Sequence, residues 1–257
     1  MSAVIIIPAR YDSTRFPGKP LAPLRGKPMI RHVYEAAKGS QRASDVIVAT
    51  DSETILETVL GFGGKVVMTS PDHRSGTDRV AEVARSMDCD VVVNVQGDEP
   101  LIQPRMIDDV IGLLDDRRAD IGTLVKKIED PEEIGDPNVV KAVLDREGFA
   151  LYFSRAPVPY RRDAWRSLNE VTAATHHASR VAHHCFKHVG IYGYRRDVLL
   201  RLTEMESAGL EETEKLEQLR ALENGFRIKT METSFEIIGV DTPNDLERVE
   251  TWLSLSS

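Results

Sequence analysis

The sequence predicts an α/β fold with a mostly parallel central sheet. Along residues 1–120, short apolar runs rich in valine and isoleucine alternate with amphipathic segments of helical periodicity. Parallel strands need such helical crossovers, so the alternation places helices on both faces of the sheet. The runs at 4–7 and 91–93 contain only valine and isoleucine, which is typical of strands buried on both faces.

Four strand–helix pairs account for this first stretch. We expect strands at residues 3–8, 45–50, 65–68 and 91–96, and helices at residues 29–39, 52–62, 77–86 and 105–115. After residue 121 the rhythm changes, because strand-like runs follow one another with little helix between them. They lie at 139–144, 150–154 and 188–194, and they predict an antiparallel excursion from the sheet.

The C-terminal helices are predicted from the residues that commonly cap the ends of helices. A helix over 212–224 would end at Gly225, since glycine favours the position after a helix. Strands at 227–232 and 235–240 and a final helix at 243–253 complete the chain. Asp241 or Thr242 is the expected N-cap of that helix. Residues 161–184 are polar without a clear period, and we interpret them as a mobile loop or linker.

The composition restricts the class of protein. The chain has 257 residues, of which 41% are hydrophobic, enough for a folded core. A net charge of −8 argues against nucleic acid or an anionic membrane as the main partner. Cys89 and Cys185 lie far apart without a CxxC motif, so neither a disulfide framework nor a cysteine metal site is predicted. The start of the chain lacks the features of a signal peptide and no long apolar stretch follows, so we expect a cytoplasmic protein without stable membrane association.

The loop at residues 8–20 leaves the end of the first strand, where open α/β sheets place their ligands. It carries the cations Arg10, Arg15 and Lys19 together with hydroxyl groups and a glycine. Phosphates are bound by this mixture of guanidinium, ammonium, hydroxyl and backbone N–H donors. The loop is neither a P-loop nor a GxGxxG motif. Composition alone leaves a solvated basic loop as an equal alternative.

Two later features extend this candidate site. Asp98 and Asp241 each follow a predicted strand, and two carboxylates with phosphate oxygens and waters suit Mg²⁺. If each residue is considered by itself, Asp98 could be an acidic turn residue and Asp241 the N-cap of the last helix. Arg74, Ser75 and Gly76 lie between a strand and a helix, where guanidinium, hydroxyl and backbone groups could read a pyrimidine. These residue types alone do not distinguish cytosine from uracil.

Eight segments carry a resemblance to a known family. They read IIPARYDSTRFPGKPL, VATD, GKVVMTSPDHRSGTDRVAE, VNVQGDEPLI, ALYFSRAPVP, KHVGIYGYR, EKLEQLRALENG and GVDTPNDLERV. The first resembles the signature of sugar nucleotidyltransferases, and together they resemble the 3-deoxy-manno-octulosonate (Kdo) cytidylyltransferase family. The likeness covers nearly the whole chain, with 161–184 as the main unmatched stretch.

The resemblance implies a Rossmann-like nucleotide-diphospho-sugar transferase fold and a reaction. Family members transfer CMP from CTP to Kdo, release pyrophosphate, and supply CMP-Kdo for lipopolysaccharide biosynthesis. The implied cofactor is Mg²⁺ on Asp98 and Asp241, and the implied assembly is a homodimer. We expect one domain over residues 1–257, with 1–120 mainly binding nucleotide and 121–257 mainly binding the sugar and the second subunit.

The resemblance also assigns roles to individual residues. The catalytic set is Lys19, Arg10, Arg15 and Asp98, with Lys19 acting at the α-phosphate. The nucleotide-binding set is Ala9, Arg10, Arg15, Lys19, Arg74, Ser75 and Gly76. The sugar-binding set is Gln96, Arg155, His188, Tyr192, Glu217 and Gln218. Spacing alone would place Glu217 and Gln218 on a solvated helix face, and His188 and Tyr192 on one face of a half-buried strand.

Other functions stay open at this point. The same fold could use CTP with 8-amino-Kdo or a nonulosonic acid, or could be a nucleotide-binding module without catalysis. A glycosyltransferase would normally carry a DxD motif, which the sequence around Asp98 lacks. The histidines His176, His177, His183 and His184 suggest a metal site, but no Cys, Asp or Glu completes a ligand set. Asp72 and His73 are interpreted as ordinary turn residues.

Overall fold

The computed structural model describes residues 1–12, 16–160, 162 and 185–255. Their contacts form two compact units. Unit 1 comprises Met1–Gly112, Ile191–Glu204 and Phe235–Ser257, and unit 2 comprises Leu113–Gly190 and Met205–Ser234.

The helices and strands are numbered in chain order. They are β1 (Ala3–Ala9), a 3₁₀ helix (Lys19–Leu21), β2 (Pro23–Leu24), β3 (Lys27–Pro28), α1 (Met29–Lys38), β4 (Asp45–Thr50), α2 (Glu53–Gly61), β5 (Val66–Met68), α3 (Gly76–Arg85), β6 (Val91–Asn94), α4 (Pro104–Leu113), β7 (Ile121–Lys127), α5 (Glu132–Gly135), β8 (Lys141–Leu144), β9 (Ala150–Ser154), β10 (Phe186–Arg195), α6 (Arg196–Glu204), α7 (Gly209–Glu214), α8 (Gln218–Glu223), β11 (Ile228–Glu232) and α9 (Pro243–Leu255).

Unit 1 is organised around β1, whose residues are all buried. β1 pairs in parallel with β4 on one side and with β6 on the other, with Ile6 opposite both Ile47 and Asn94. β5 continues the sheet in parallel beyond β4, and the second part of β10 pairs antiparallel with β6. The α/β fold with a mostly parallel sheet is therefore confirmed. The carboxyl ends of β1, β4 and β6 meet at one edge of this sheet.

Unit 2 contains the antiparallel pairing that the second half of the sequence predicts. β8 pairs antiparallel with the first part of β10 and with β9, while β11 pairs in parallel with β7. The sequence did not predict β7. It also did not predict α6, the helix that follows β10 and belongs to unit 1. Lys141 of β8 is completely buried, and its ammonium group donates to the carbonyl oxygens of Asp136, Val139 and Arg155 at 2.6 to 2.8 Å.

Two sequence predictions about secondary structure are wrong. The single helix expected over 212–224 is two short helices, α7 and α8, because Lys215 between them adopts a left-handed conformation with φ of 54°. The strand expected over 235–240 does not form. Val240 instead donates its N–H to the carbonyl oxygen of Asp98 at 2.9 Å, so the segment packs against the loop after β6.

The structure decides between the two N-caps predicted for α9, Asp241 and Thr242. The Thr242 hydroxyl oxygen accepts from the Asp245 N–H at 3.3 Å, and the Asp245 carboxylate accepts from the Thr242 N–H at 2.9 Å. Thr242 is therefore the N-cap, and Asp241 keeps its carboxylate for other contacts. Within the described residues, no helix has both the length and the apolar character needed to cross a membrane.

An apolar cluster joins three distant parts of unit 1. Its buried members are Leu24, Met29, Leu101, Val240 and Val249, and Phe16, Ile238, Leu246, Trp252 and Leu253 pack against them. The cluster ties the N-terminal loop and the segment before α9 to the residues that follow β6. Burial of these side chains is the physical reason that Lys19, Asp98 and Asp241 converge, although more than 200 residues separate the first from the last.

Candidate active site

A cleft of about 460 Å³ lies at the edge where β1 and β6 end. Nine of its lining residues are predicted site residues: Ala9, Arg10, Lys19, Arg74, Ser75, Gly76, Gln96, Asp98 and Asp241. Pro8, Asp12, Pro20 and Gly97 complete the lining. The structure thus brings three features together in one polar cavity: the described part of the loop at 8–20, the predicted pyrimidine loop (Arg74, Ser75 and Gly76), and the two predicted metal-binding carboxylates.

Lys19 lies at the centre of the charged part of this cleft. It begins the short 3₁₀ helix after Gly18, whose φ of 68° suits a residue without a side chain. The side chain of Lys19 is only 12% exposed, and its ammonium nitrogen lies 2.6 Å from Asp98 Oδ2 and 3.4 Å from Asp241 Oδ1. The two carboxylates therefore hold the ammonium group at the wall of the cleft.

The carboxylate set fits a hard divalent cation. Asp98 and Asp241 both present oxygen atoms to the cleft, and their side chains are 31% and 50% exposed. Within the described residues, no group of three or more His, Cys, Asp and Glu side chains could hold a metal ion. Two carboxylates completed by substrate oxygens and water are the arrangement in which Mg²⁺ is usually bound.

Glu99 lies beside the carboxylates of the cleft without lining it, and it is not among the predicted site residues. Its Oε2 atom is buried and accepts no hydrogen bond from the described residues. Burial, followed by the charges of Asp98 and Asp241, raises the pKa of Glu99 from 4.5 to about 8. With this pKa the Glu99 carboxyl is protonated at neutral pH, and a cation bound at the two aspartates would favour its ionised form. The only signal in the sequence is its place next to Asp98.

The Glu99→Gln variant is expected to be more stable than the wild type at pH 8.5, but not at pH 5. Because the pKa is raised on folding, the folded state retains a proton that the unfolded state loses between pH 4.5 and 8, and stability falls as the pH rises through that window. Each pKa unit corresponds to about 1.4 kcal/mol, so the melting temperature should differ by several degrees. Differential scanning fluorimetry without divalent metal checks this.

The control for that measurement is Glu57→Gln, which removes an exposed carboxylate from α2. This variant should have the same melting temperature as the wild type at both pH values. A difference between Glu99→Gln and wild type that does not change from pH 5 to pH 8.5 would show that Glu99 is not the titrating group.

The floor of the cleft depends on close backbone packing. A Cβ atom on Gly97 would lie 2.9 Å from the carbonyl oxygen of Pro8, so only glycine fits between the ends of β1 and β6. Gln96 precedes it, and its amide nitrogen donates to Asn94 Oδ1 at 3.0 Å. A Cβ atom on Gly76 would lie 3.6 Å from Gln96 Oε1. Gln96, predicted as a sugar ligand, therefore lies beside the predicted pyrimidine loop.

The pyrimidine loop is joined to α3 by a capping box. Ser75 Oγ accepts from the Asp78 N–H, and the Ser75 N–H donates to Asp78 Oδ2, both at 3.1 Å. Arg10 donates through Nη2 to the carbonyl oxygens of His73 and Ser75. Arg10 was predicted as a catalytic and nucleotide-binding residue, and in the structure it also holds the backbone on both sides of Arg74.

The predicted sugar ligands are divided between the two units. Gln96 and Tyr192 lie in unit 1, where the Tyr192 ring stacks on Tyr194 with the ring centroids 5.8 Å apart. Arg155, His188, Glu217 and Gln218 lie in unit 2. Glu217 is half-buried and Gln218 is 9% exposed, so neither lies on a fully solvated helix face.

His188 is a neutral side chain in unit 2. Its ring packs edge-on against Phe153, and removal from water lowers the pKa of His188 to about 3. The Thr123 hydroxyl donates to the carbonyl oxygen of Val189, so Thr123 Oγ1 accepts from His188 Nε2 at 3.1 Å. His188 therefore carries no positive charge, and its Nε2 is bonded to Thr123.

Arg155 is held by backbone groups. Its guanidinium donates to the carbonyl oxygens of Glu214 at 2.8 Å, Pro137 at 2.9 Å and Lys215 at 3.4 Å. These carbonyl oxygens orient the guanidinium of Arg155. Arg15 and the histidines His176, His177, His183 and His184 lie outside the described residues.

Comparisons with known proteins point to one family. A sequence profile described as Cytidylyltransferase matches residues 4–231. A 3-deoxy-manno-octulosonate cytidylyltransferase of Geobacter metallireducens is 56% identical over 255 residues, which cover 99% of this chain and 98% of the relative. A solved CMP:2-keto-3-deoxy-manno-octonic acid synthetase in complex with CTP superposes with a TM-score of 0.89 at 42% identity, over the full length of both chains.

A more distant structure shows the same fold. A cytidylyltransferase of Leptospira borgpetersenii superposes with a TM-score of 0.63 at 18% identity, covering 99% of this chain and 87% of the other. This likeness supports the Rossmann-like architecture and nothing finer.

Proposed function

The chain belongs to the cytidylyltransferases, within them to the 3-deoxy-manno-octulosonate cytidylyltransferase family, and from this premise we propose that it transfers CMP from CTP to Kdo. The reaction releases pyrophosphate and gives CMP-Kdo for lipopolysaccharide biosynthesis. The observation that carries the proposal is the cleft in which Lys19 contacts both Asp98 and Asp241, beside a loop suited to a pyrimidine.

The cleft offers the groups that nucleotidyl transfer needs. In this reaction an oxygen of the sugar attacks the α-phosphorus of CTP while the bond from that phosphorus to pyrophosphate breaks. Such a displacement requires alignment of the reactants and neutralisation of the charge that develops on the leaving group. Arg10, Arg15 and Lys19 are the proposed triphosphate ligands, and Lys19 is the group at the α-phosphate.

We propose Mg²⁺ as the cofactor of this cleft. Asp98 and Asp241 would hold it through carboxylate oxygens. When bound, Mg²⁺ supplies positive charge that orients the phosphates and stabilises charge on their oxygens. Lys19, which contacts both aspartates, would keep the carboxylates in place and offer its ammonium to the same phosphates.

The sugar is the part of the proposal that depends most on the relatives. An acidic sugar needs a cation for its carboxylate and several polar groups for its hydroxyls. Arg155 supplies a guanidinium, and Gln96, His188, Tyr192, Glu217 and Gln218 are polar side chains that can bind hydroxyl groups. Arg155 is therefore the proposed carboxylate ligand.

The proposal is tested by supplying the purified protein with Mg²⁺, each of the four nucleoside triphosphates in turn, and a panel of acidic sugars. Pyrophosphate release is expected with CTP and Kdo. Release with UTP but not CTP would contradict the nucleotide assignment, and release only with 8-amino-Kdo or a nonulosonic acid would contradict the sugar assignment. Absence of release with every pair, while CTP still binds, would identify a nucleotide-binding module without catalysis.

Two further expectations belong to the same proposal. A homodimer is expected, with contacts from the half at residues 121–257, and light scattering coupled to size-exclusion chromatography measures it. A cytoplasmic location is expected because both substrates of the proposed reaction are soluble, and fractionation of cells that express the tagged chain tests it.

A further inference from the structure

The loop at residues 69–75 connects β5 to α3 and carries Arg74 and Ser75 to the cleft. Three side chains outside the predicted site hold it in place: His73, Arg79 and Glu82. None of them lines the cleft, and the sequence analysis interprets His73 as an ordinary turn residue. Their contacts hold the backbone of the loop in one conformation.

The first contact is made by Glu82, on α3. Its carboxylate Oε2 accepts the Ser70 N–H at 3.0 Å and forms a short hydrogen bond with His73 Nε2. The bond from His73 lowers the pKa of Glu82, so the carboxylate is ionised at neutral pH. One carboxylate therefore joins the start of the loop to its middle.

The second contact is made by Arg79, one helical turn before Glu82. Its side chain is completely buried, and its guanidinium donates to Thr69 Oγ1 and, at 2.5 Å, to Asp51 Oδ2. Thr69 in turn donates through its N–H and its hydroxyl to the carbonyl oxygen of Thr50, at 2.8 and 3.0 Å. The first residue of the loop is thus fixed to the end of β4.

The remaining contact comes from the other side of the cleft. Arg10 donates to the carbonyl oxygens of His73 and Ser75, which are the residues on either side of Arg74. His73 therefore takes part in two contacts, through its ring with Glu82 and through its carbonyl oxygen with Arg10. Loss of the ring contact would release the backbone from which Arg74 projects.

We propose that His73 and Glu82 are positioning residues that determine the preference of this cleft for cytosine over uracil. The inference rests on the proposed function, in which the cleft binds a pyrimidine nucleotide. The two bases differ where cytosine has an amino donor and uracil a carbonyl acceptor. A hydrogen bond weakens steeply when donor and acceptor are misaligned, so a loop fixed in one conformation discriminates between them and a mobile loop does not.

The test compares His73→Ala, Glu82→Ala and the double variant with the wild type, by measuring kcat and KM for CTP and for UTP with Kdo. Each single variant should raise KM for CTP about tenfold, as expected for loss of a hydrogen bond to a charged group. Each should lower the preference for CTP over UTP by a similar factor and leave kcat within about threefold. The ring of His73 acts through its contact with Glu82, whereas Glu82 also holds the Ser70 N–H, so the double variant should be no worse than Glu82→Ala alone.

Three further variants separate positioning from folding. Glu82→Gln keeps an acceptor for Ser70 and a partner for His73, so it should restore most of the preference. Glu57→Ala, which removes an exposed carboxylate from α2, should behave as the wild type. If Glu82→Ala does not fold, His73→Asn keeps a polar side chain in the loop and should show the same loss of preference.

The outcomes distinguish this inference from the proposed function. Unchanged CTP preference in folded His73 and Glu82 variants overturns the inference and leaves the function intact. Additive losses in the double variant also overturn it. If the wild type releases no pyrophosphate with CTP and Kdo, the proposed function fails. The inference is then tested by binding: titration calorimetry gives the dissociation constants for CTP and UTP, and their ratio should fall about tenfold in each single variant relative to the wild type.

Discussion

Replacement of Lys19 by alanine is expected to lower kcat for pyrophosphate release by about 10²- to 10³-fold, the usual effect of removing one preorganised charge donor. The side chain of Lys19 is 12% exposed, and its ammonium group is held by Asp98 and Asp241, so this group already lies in a fixed position before charge develops on the phosphates. The KM for CTP should change less than kcat, because the proposed contact is strongest in the transition state. Steady-state kinetics measured against CTP at saturating Kdo and Mg²⁺ checks both.

The matched control is Lys27→Ala. Lys27 also pairs with a carboxylate, Glu35, at 2.7 Å, but its side chain is 42% exposed and does not line the cleft. This variant should keep wild-type kinetics. Near-normal turnover by Lys19→Ala would overturn the catalytic assignment of Lys19. Lys19→Arg should recover little of the activity, since a planar guanidinium cannot occupy the compact position between the two aspartates.

Asp98→Ala and Asp241→Ala are expected to lower activity by about the same factor of 10² to 10³ and also to weaken binding of a divalent cation. Each substitution removes one of two carboxylates that face the same part of the cleft. The affinity for Mn²⁺ as a probe, measured by electron paramagnetic resonance in the presence of CTP, gives a readout that does not depend on turnover. Circular dichroism should show both variants folded, since both side chains are partly exposed.

Asp109→Ala provides the control for the aspartates. Asp109 pairs with Arg105 on α4 and does not line the cleft, so its loss should leave Mn²⁺ affinity and kcat unchanged. Tight Mn²⁺ binding by both site variants would reject the metal assignment. The double variant of Lys19 and Asp98 should lose less than the product of the single losses, because these two residues are in contact.

The strands of unit 1 could be predicted because their signal is local. β1 is a continuous apolar run, and β6 is apolar up to its last residue, Asn94; the structure buries every residue of both strands. The later elements were harder. The residues around Lys215 continue a helical pattern, and only a left-handed backbone, with the carbonyl oxygens of Glu214 and Lys215 bound by Arg155, divides the segment into two helices. Contacts between residues about 60 positions apart leave no trace in a local pattern.

The residues of the candidate site also fall into two groups, those that sequence motifs identify and those that only tertiary contacts identify. Arg10, Lys19 and Asp98 belong to motifs that sequence resemblance recovers, and the structure places all of them in the cleft. Glu99 and Glu82 were missed because each draws its role from a tertiary neighbourhood. A glutamate becomes a buried carboxylate with a raised pKa, or the partner of a loop histidine, only after folding places other groups around it.

The sequence by itself determined the parallel α/β core, the family, and the residue types that bind a nucleotide. These follow from apolar runs, motif identity and the chemistry of side chains, all of which are properties of short segments. Only the tertiary structure decided that Lys19 contacts both Asp98 and Asp241, that Arg10 and Glu82 hold the pyrimidine loop, and that 235–240 is not a strand. Such contacts depend on burial of apolar residues from distant parts of the chain, which brings together groups whose order in the sequence does not relate them.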